Sequence, residues 1–376
     1  MGGDVLQTRE YGSITFGDVR MIDGFGYKVR NGARALRAWV LPYLLSRMRA
    51  DEFRPVLCYL FTEWRCNIDC FYCHQYDNRR DSMSLDTAMD AIDWLKSVGC
   101  RVVPLMGGEP LLRKDFVIDV IRYGAKNGFF MYLPTNGYLM DKSFIDEVGR
   151  AGVAAINLAV DAIAPRKGLP KALLAIEPQF RYLVEQQEKY GYLIFFNINI
   201  CGSNLKDVRL LTEIAHQNGI GTDYHLNEPP HTFVNTEHYK HDEEMLSITP
   251  DRFEETEALL DWLIEKHREG WPMVNSIEHL RTFKGRMRGE IAAWDCRAGH
   301  NGALIRTDGT LSPCFDMICY EHDWGRIGHP RFDQAELAEL KARCRSLCSS
   351  TCFHTMGFYY KLGAVPEWVR KHVRVG

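Results

Sequence analysis

The sequence predicts an α/β fold organised around a parallel sheet, and three observations lead there. Short runs rich in β-branched and aromatic residues alternate with longer stretches of helical periodicity over the first two-thirds of the 376 residues. Six strand-like runs separated by helix-like ones imply parallel strands joined by right-handed crossovers. The segments richest in chemistry, around residues 66–74 and 106–110, follow strand-like runs directly, and in such sheets ligands collect at the carboxyl ends of the strands.

Taken in order, the strand candidates cover 55–62, 101–106, 129–133, 153–160, 192–200 and 220–226. Helical spacing occupies 84–98, 115–127, 142–150, 170–190 and 205–218. The first of these opens on Ser84-Leu85-Asp86, with Leu85, Met89, Ile92 and Leu95 three or four residues apart. After residue 226 the rhythm stops. Residues 227–249 read as a long polar loop, Thr249-Pro250 opens a helix to 268, and another covers 276–288. A hairpin turning at Asp308-Gly309 follows Cys296, and a helix over 333–343 leads into the last cysteines. The basic, partly apolar segment 30–49 reads as a helix across one end of the core, broken by Pro42; the competing reading lays it on a membrane surface. The expected division is an N-terminal extension with that helix over 1–50, the core over 51–230, a linking loop and helices over 231–290, and a cysteine-bearing extension over 291–376.

Composition narrows the class. A formal net charge of −3 gives no reason to expect a nucleic-acid partner. No run of about 18 apolar residues is present, so no spanning helix is expected. The opening MGGDVLQTREYG lacks a secretory signal's basic start and apolar stretch, and Leu6 stands where a myristoylation motif requires Ser or Thr. A cytoplasmic protein is expected. Twelve cysteines in a reducing compartment point to metal binding or redox chemistry. Cys58, Cys100 and Cys201 sit singly in apolar segments and read as small core residues.

Cys66, Cys70 and Cys73 offer three thiolates from one short loop. A cubane iron–sulfur cluster has four irons, so three ligands leave one iron open for catalysis. Structural zinc would require a fourth ligand, and His74 is poorly placed beside Cys73. Cys-x3-Cys-x-aromatic-Cys after a first strand resembles the signature of the radical S-adenosylmethionine (SAM) superfamily, with Tyr72 at the aromatic position. Met106-Gly107-Gly108-Glu109-Pro110 after the second strand is similar to that family's GGEP motif, although by itself it reads as a strand-to-helix turn.

The resemblance covers about residues 55–226 and implies a partial (β/α)6 TIM-like barrel. It implies a [4Fe–4S] cluster on Cys66, Cys70 and Cys73 whose open iron binds SAM. One electron from the reduced cluster would cleave the sulfonium to methionine and a 5′-deoxyadenosyl radical, which abstracts hydrogen from substrate. A reductase such as flavodoxin or ferredoxin would supply the electron. Tyr72 would lie beside the adenine, with Gly107, Gly108, Glu109 and Pro110 around the amino group. Asn136 in the Thr135-Asn136-Gly137 turn, Asp161, Asn199 (with Asn197 the weaker choice) and Arg166 complete the expected cofactor contacts, Arg166 toward the SAM carboxylate.

The C-terminal cysteines resemble the SPASM or shorter twitch extension of that superfamily. Cys296 and Cys314 bracket the hairpin, and Cys344, Cys348 and Cys352 follow with period four. With Cys319, these six are too few for two cubanes, so one auxiliary [4Fe–4S] cluster is expected, with zinc as the alternative. Cys296, Cys314, Cys348 and Cys352 are the expected ligands, Cys344 the substitute and Cys319 a bystander.

Substrate is weakly written in the sequence. About 50 residues precede the first barrel strand, too few for the peptide-binding domain of many peptide-modifying relatives. Oxidation or rearrangement of a small molecule such as a sugar or cyclitol is therefore preferred. Peptide modification, a lipid substrate with peripheral membrane contact, and a non-catalytic electron carrier stand as alternatives. His225 and Glu228 are candidate base or orienting groups, with His231 and Tyr239 further candidate contacts.

Overall fold

The structure, a computed structural model, describes residues 6–8, 12–14, 25–47, 52–227, 243–290, 294–344, 348, 350, 353 and 354. Its centre is an eight-stranded sheet. Six strands form the predicted parallel run: β1 (Leu57–Glu63), β2 (Val102–Gly107), β3 (Phe130–Thr135), β4 (Ala155–Ala159), β5 (Leu193–Ile200) and β6 (Gly221–Leu226). They lie side by side in chain order, the arrangement of a partial barrel. Helices on the outside cover them: α2 (Leu85–Ser97), α3 (Lys114–Lys126), α4 (Lys142–Ala151), α5 (Glu177–Tyr190) and α6 (Leu205–Gln217).

Local chemistry explains these boundaries. The Ser84 hydroxyl accepts from Thr87 N and the Asp141 carboxylate from Phe144 N, capping α2 and α4 at about 1 kcal/mol each. Helix α4 stops at Gly152, whose φ of 96° is costly for any residue with a Cβ. One boundary departs from expectation. The stretch 170–190 is helical only from Glu177, with a 3-10 turn at Leu173–Ala175. Pro178 in the first turn of α5 suits a position where no intrahelical N–H is needed. Upstream, the Lys171 carbonyl accepts from Asp161 N and Ala162 N, so this irregular segment is pinned to the end of β4.

The predicted hairpin forms and extends the main sheet. Strand β7 (Gly302–Ile305) pairs parallel to β1, and β8 (Leu311–Ser312) pairs antiparallel to β7. The cysteine-bearing C-terminal segment is thereby held against the strand that leads into Cys66. Helices α7 (Phe253–Arg268), α8 (Ile277–Met287) and α9 (Gln334–Cys344) complete the described residues of that half, and a single turn spans Glu243–Leu246.

Helix α1 (Phe25–Ala35) crosses the barrel at the amino ends of the strands. Tyr27 donates to the Tyr192 carbonyl and Arg34 to that of Gly191, just before β5, and Trp39 packs edge-on against Phe130. Pro42 does not break the segment. A π turn at Leu36–Val40 carries it into Leu41–Ser46, and the wider turn relieves the clash of a proline ring with the carbonyl four residues back. Val29, Leu36, Leu41, Leu44 and Leu45 on this segment remain exposed. No helix among the described residues is long and apolar enough to cross a membrane.

Candidate functional site

The first cysteine loop leaves the end of β1 and is tied down on both flanks. Glu63, 1% exposed, accepts from Arg65 Nε and Nη2, each at 2.9 Å, and from Ser82 Oγ at 2.7 Å. This bidentate pair fixes the residue before Cys66. Cys66 N donates to Asn78 Oδ1 at 3.0 Å, and Asp77 N to the Trp64 carbonyl at 2.9 Å. Cys73 N donates to the Cys70 carbonyl at 3.0 Å. Burial pushes the Cys70 thiol up and raises Cys66 to about 11, so thiolates there require a cation.

The loop after β2 packs on that lead-in. Gly108 N donates to the Glu63 carbonyl and Glu109 N to that of Arg65. A Cβ on Gly107 would strike the Glu63 carbonyl oxygen, and one on Gly108 that of Arg65. The two glycines are therefore required where two backbones cross, in addition to any closeness to a ligand. Glu109 is 1% exposed and accepts three bonds: Leu111 N at 2.9 Å and Thr135 Oγ1 at 2.7 Å on Oε1, and Asn136 N at 2.8 Å on Oε2. Burial pushes its pKa up against these donors. Asn136 in turn donates from Nδ2 to Asn67 Oδ1 at 2.9 Å. Glu109 thus knits the ends of β2 and β3 to the cysteine loop.

These groups border one cavity of about 480 Å³ running through the barrel. Cys66, Cys70, Cys73, Tyr72, Gly107, Gly108, Glu109, Pro110, Asn136 and Asn199, ten of the expected site residues, all line it. Asp161 and Arg166 do not. Asp161 is buried behind the wall, accepting from Tyr72 Oη at 2.5 Å and Asn199 N at 2.8 Å, and so orients two lining residues. Arg166 pairs with Asp207 at 2.5 Å and donates to the Ser203 carbonyl.

The structure adds Lys171, which the sequence reading passed over as part of a helix. It lines the cavity, its ammonium lies 5.2 Å from the centre of the Tyr72 ring, and it is the one Lys or Arg among the described lining residues. Burial disfavours its charge, but Cys70, Asp161, Cys73 and Cys66 outweigh that and raise its pKa. His225 lines the same wall, its Nε2 3.0 Å from Asn197 Nδ2 and 3.7 Å from Asp223 Oδ2. Glu228, His231 and Tyr239 lie outside the described residues.

Cys296, Cys314, Cys344 and Cys348 surround a second cavity with Asp316 and Lys341. Cys344 thus joins the set, Cys319 stands apart near Arg80 and Arg306, and Cys352 lies outside the described residues. Burial raises Cys296, Cys314 and Cys344, the last to about 11. This cavity is about 20 Å³, the space of one water, so a cluster there requires the side chains around it to move apart. Asp316 and Ser350 line both cavities, which therefore share a wall.

The donor set fits the groups expected. Four thiols in one place and three in another suit iron–sulfur clusters, and the amide- and hydroxyl-rich wall beside the three suits a polar ligand. Among the described residues no three His, Cys, Asp or Glu side chains converge on the point of a single metal ion.

Residues 65–182 match the model of the radical SAM superfamily. Over 169 residues the chain is 27% identical to an AdoMet-dependent heme synthase of Methanosarcina barkeri, covering 43% of this chain and 47% of that protein. It is 38% identical over 108 residues to a GTP 3′,8-cyclase of Mannheimia succiniciproducens, covering 27% and 32%. The chain thus spans less than half the length of these two relatives. The crystal structure of Streptococcus suis SuiB bound to precursor peptide SuiA is similar in fold, with a TM-score of 0.60 at 12% identity, covering 90% of this chain and 79% of that one.

Proposed function

We propose that the chain, whose residues 65–182 match the radical SAM superfamily, cleaves SAM reductively and oxidises or rearranges a small molecule inside the barrel. What carries this reading is the single cavity in which Cys66, Cys70 and Cys73 meet Tyr72, the Gly107–Pro110 turn, Asn136 and Asn199. When bound, the [4Fe–4S] cluster and SAM supply a 5′-deoxyadenosyl radical, at the cost of one electron from a donor such as flavodoxin or ferredoxin.

The chain's own residues do the rest. The three thiolates hold the cluster and, at three, leave one iron for SAM. Tyr72, fixed by Asp161, offers its ring face to a base. Lys171 stands where a carboxylate beside the thiols would need a cation, the role Arg166 loses to Asp207. Cys296, Cys314, Cys344 and Cys348 hold an auxiliary cluster, and the shared wall at Asp316 and Ser350 suits uptake of an electron from a substrate radical, a net two-electron oxidation.

A cavity floored by α1, of a size usual for small-molecule sites, favours a small substrate. The peptide reading is supported by the fold shared with SuiB, which was solved with a precursor peptide. The experiment is anaerobic incubation of reconstituted, dithionite-reduced protein with SAM, followed by chromatography. Formation of 5′-deoxyadenosine is expected. Its absence rejects the proposal and leaves an electron carrier, and its persistence in Cys70→Ala rejects the cluster on the three thiols.

A further inference from the structure

Below the thiols, the inner wall of the barrel carries polar groups that the cofactor reading does not use. Asp223 on β6, Asn157 on β4 and Asn31 on α1 line the same cavity and are 8%, 2% and 3% exposed. Asp223 Oδ1, Asn157 Oδ1, and both Asn31 Oδ1 and Nδ2 have no hydrogen-bond partner among the described residues. Buried polar atoms in native proteins are nearly all satisfied, so several orphans on residues that line one cavity mark a place where a ligand completes the set.

Their chemistry is lopsided. Three of the four atoms are acceptors and one is a donor. The matching ligand must be rich in N–H or O–H. One of the acceptors is a carboxylate, and burying it without a partner is costly. The cation on the described cavity wall, Lys171, lies at the cysteine end, over the Tyr72 ring. The other Asp223 oxygen is 3.7 Å from His225 Nε2, a nitrogen that already meets Asn197 Nδ2 at 3.0 Å.

Register sets these groups in layers. Asp223 pairs with Asn197 and His225 with Asn199, while Asn157 pairs with Phe195, which in turn pairs with Gly221, two residues before Asp223. The carboxylate therefore lies one inward-facing step below His225, with Asn157 and then Asn31 deeper still.

We propose that the lower barrel is the substrate pocket and that it takes a small molecule bearing a protonated amine, held by Asp223, with further hydroxyl or N–H donors meeting Asn157 and Asn31. This rests on the reading of the chain as a radical SAM enzyme and names the substrate class for it. Charge selects: an amine gains a charge-assisted bond, and an anion of the same size meets a like charge.

The test uses the full reconstituted chain with SAM, at neutral pH, and three probes of one shape: cyclohexylamine, cyclohexanol and cyclohexanecarboxylate. Binding is measured by saturation-transfer NMR titration. The amine is expected to bind at least about tenfold tighter than the carboxylate, the scale of one charge-assisted bond. Asp223→Asn should erase that preference and Asp223→Glu retain it. Equal binding of amine and carboxylate, tighter binding of the carboxylate, or no binding of any probe overturns the proposal. If Asp223→Asn does not fold, the three-probe comparison on the unmodified chain still decides. SAM cleavage is read separately on that chain. Amine preference without 5′-deoxyadenosine sinks the radical SAM reading and spares this pocket, whereas cleavage without amine preference does the reverse.

Discussion

Glu109→Gln is the most informative single change in this molecule. The native carboxylate takes three donors with two oxygens: Leu111 N and Thr135 Oγ1 on one, Asn136 N on the other. A glutamine can present its carbonyl oxygen to only one side. With the oxygen toward Leu111 and Thr135, its amide N–H₂ faces the Asn136 N–H, leaving a buried donor unsatisfied at about 1–3 kcal/mol. Glu109→Ala strands all three donors, and about 3–6 kcal/mol is expected, since water entering the hole recovers part of the loss. The damage is directional. Asn136 is bonded to Asn67, next to Cys66, so a released Asn136 frees one flank of the cysteine loop. Hydrogen exchange followed by mass spectrometry should show faster exchange in peptides spanning 107–113 and 133–138, with 5′-deoxyadenosine formation falling in parallel. If Glu109→Gln exchanges like the native chain and cleaves SAM at the same rate, the carboxylate is protonated in the fold, as its burial-raised pKa permits, and it is not the knot described above.

Other outcomes follow from neighbouring residues. Lys171→Met should weaken SAM binding by roughly ten- to a hundredfold, the worth of one charge-assisted bond, while Arg166→Gln should leave it nearly unchanged; equilibrium dialysis with labelled SAM separates the two. Native protein should hold about eight irons per chain and Cys314→Ala about four, with 5′-deoxyadenosine still formed by the variant; about four irons with one zinc in the native chain would reassign the second cysteine group. His216 stacks on Trp271 at 3.9 Å, and burial lowers its pKa, with Lys266 adding to the effect and Glu269 opposing it. A depressed histidine binds fewer protons folded than unfolded, so stability is full above the unfolded pKa near 6.5 and falls as pH drops toward the folded value. The melting temperature of His216→Phe should therefore fall less than that of the native chain on acidification through this window.

Much of this was legible in the sequence, and the residues that were not were hidden for different reasons. The six parallel strands announce themselves because each is a short apolar run between helical periods, and Cys66, Cys70 and Cys73 because their spacing is local. Lys171 was hidden because apolar spacing at 173, 176 and 180 imitates a helix that does not begin until Glu177. Asp223 had a signal: period-two alternation on β6 puts it on the face of His225, just as it puts Asn157 between Ala155 and Ala159 on the inner face of β4. Asn31 had none. Its place on the cavity floor depends on how α1 crosses the barrel, which is a tertiary fact. Cys344 was the alternative to Cys352, and the end of α9 brings it to the cavity shared by Cys296, Cys314 and Cys348, while Cys352 lies outside the described residues.

The distribution of charge gives the site its logic. Two carboxylates expected at the ligand surface, Glu109 and Asp161, have both oxygens occupied by protein donors, so they shape loops, while burial and, to a smaller degree, their charge raise the Cys66 and Cys70 thiols. Had either faced an anionic cluster unpaired, repulsion in so dry a place would have raised the cost of loading it. Lys171 is set against that anionic end, and Asp223 stands with no Lys or Arg among the lining residues at the other. Among the described lining residues the cavity is therefore polarised along its length, with Lys171 beside the thiols and the Asp223 carboxylate, one oxygen 3.7 Å from His225 Nε2, below. A zwitterionic cofactor end and a cationic substrate would each find the complementary pole. A substrate entering with its amine toward Asp223 would turn its remaining atoms up the barrel, toward the thiols where the radical is expected to form.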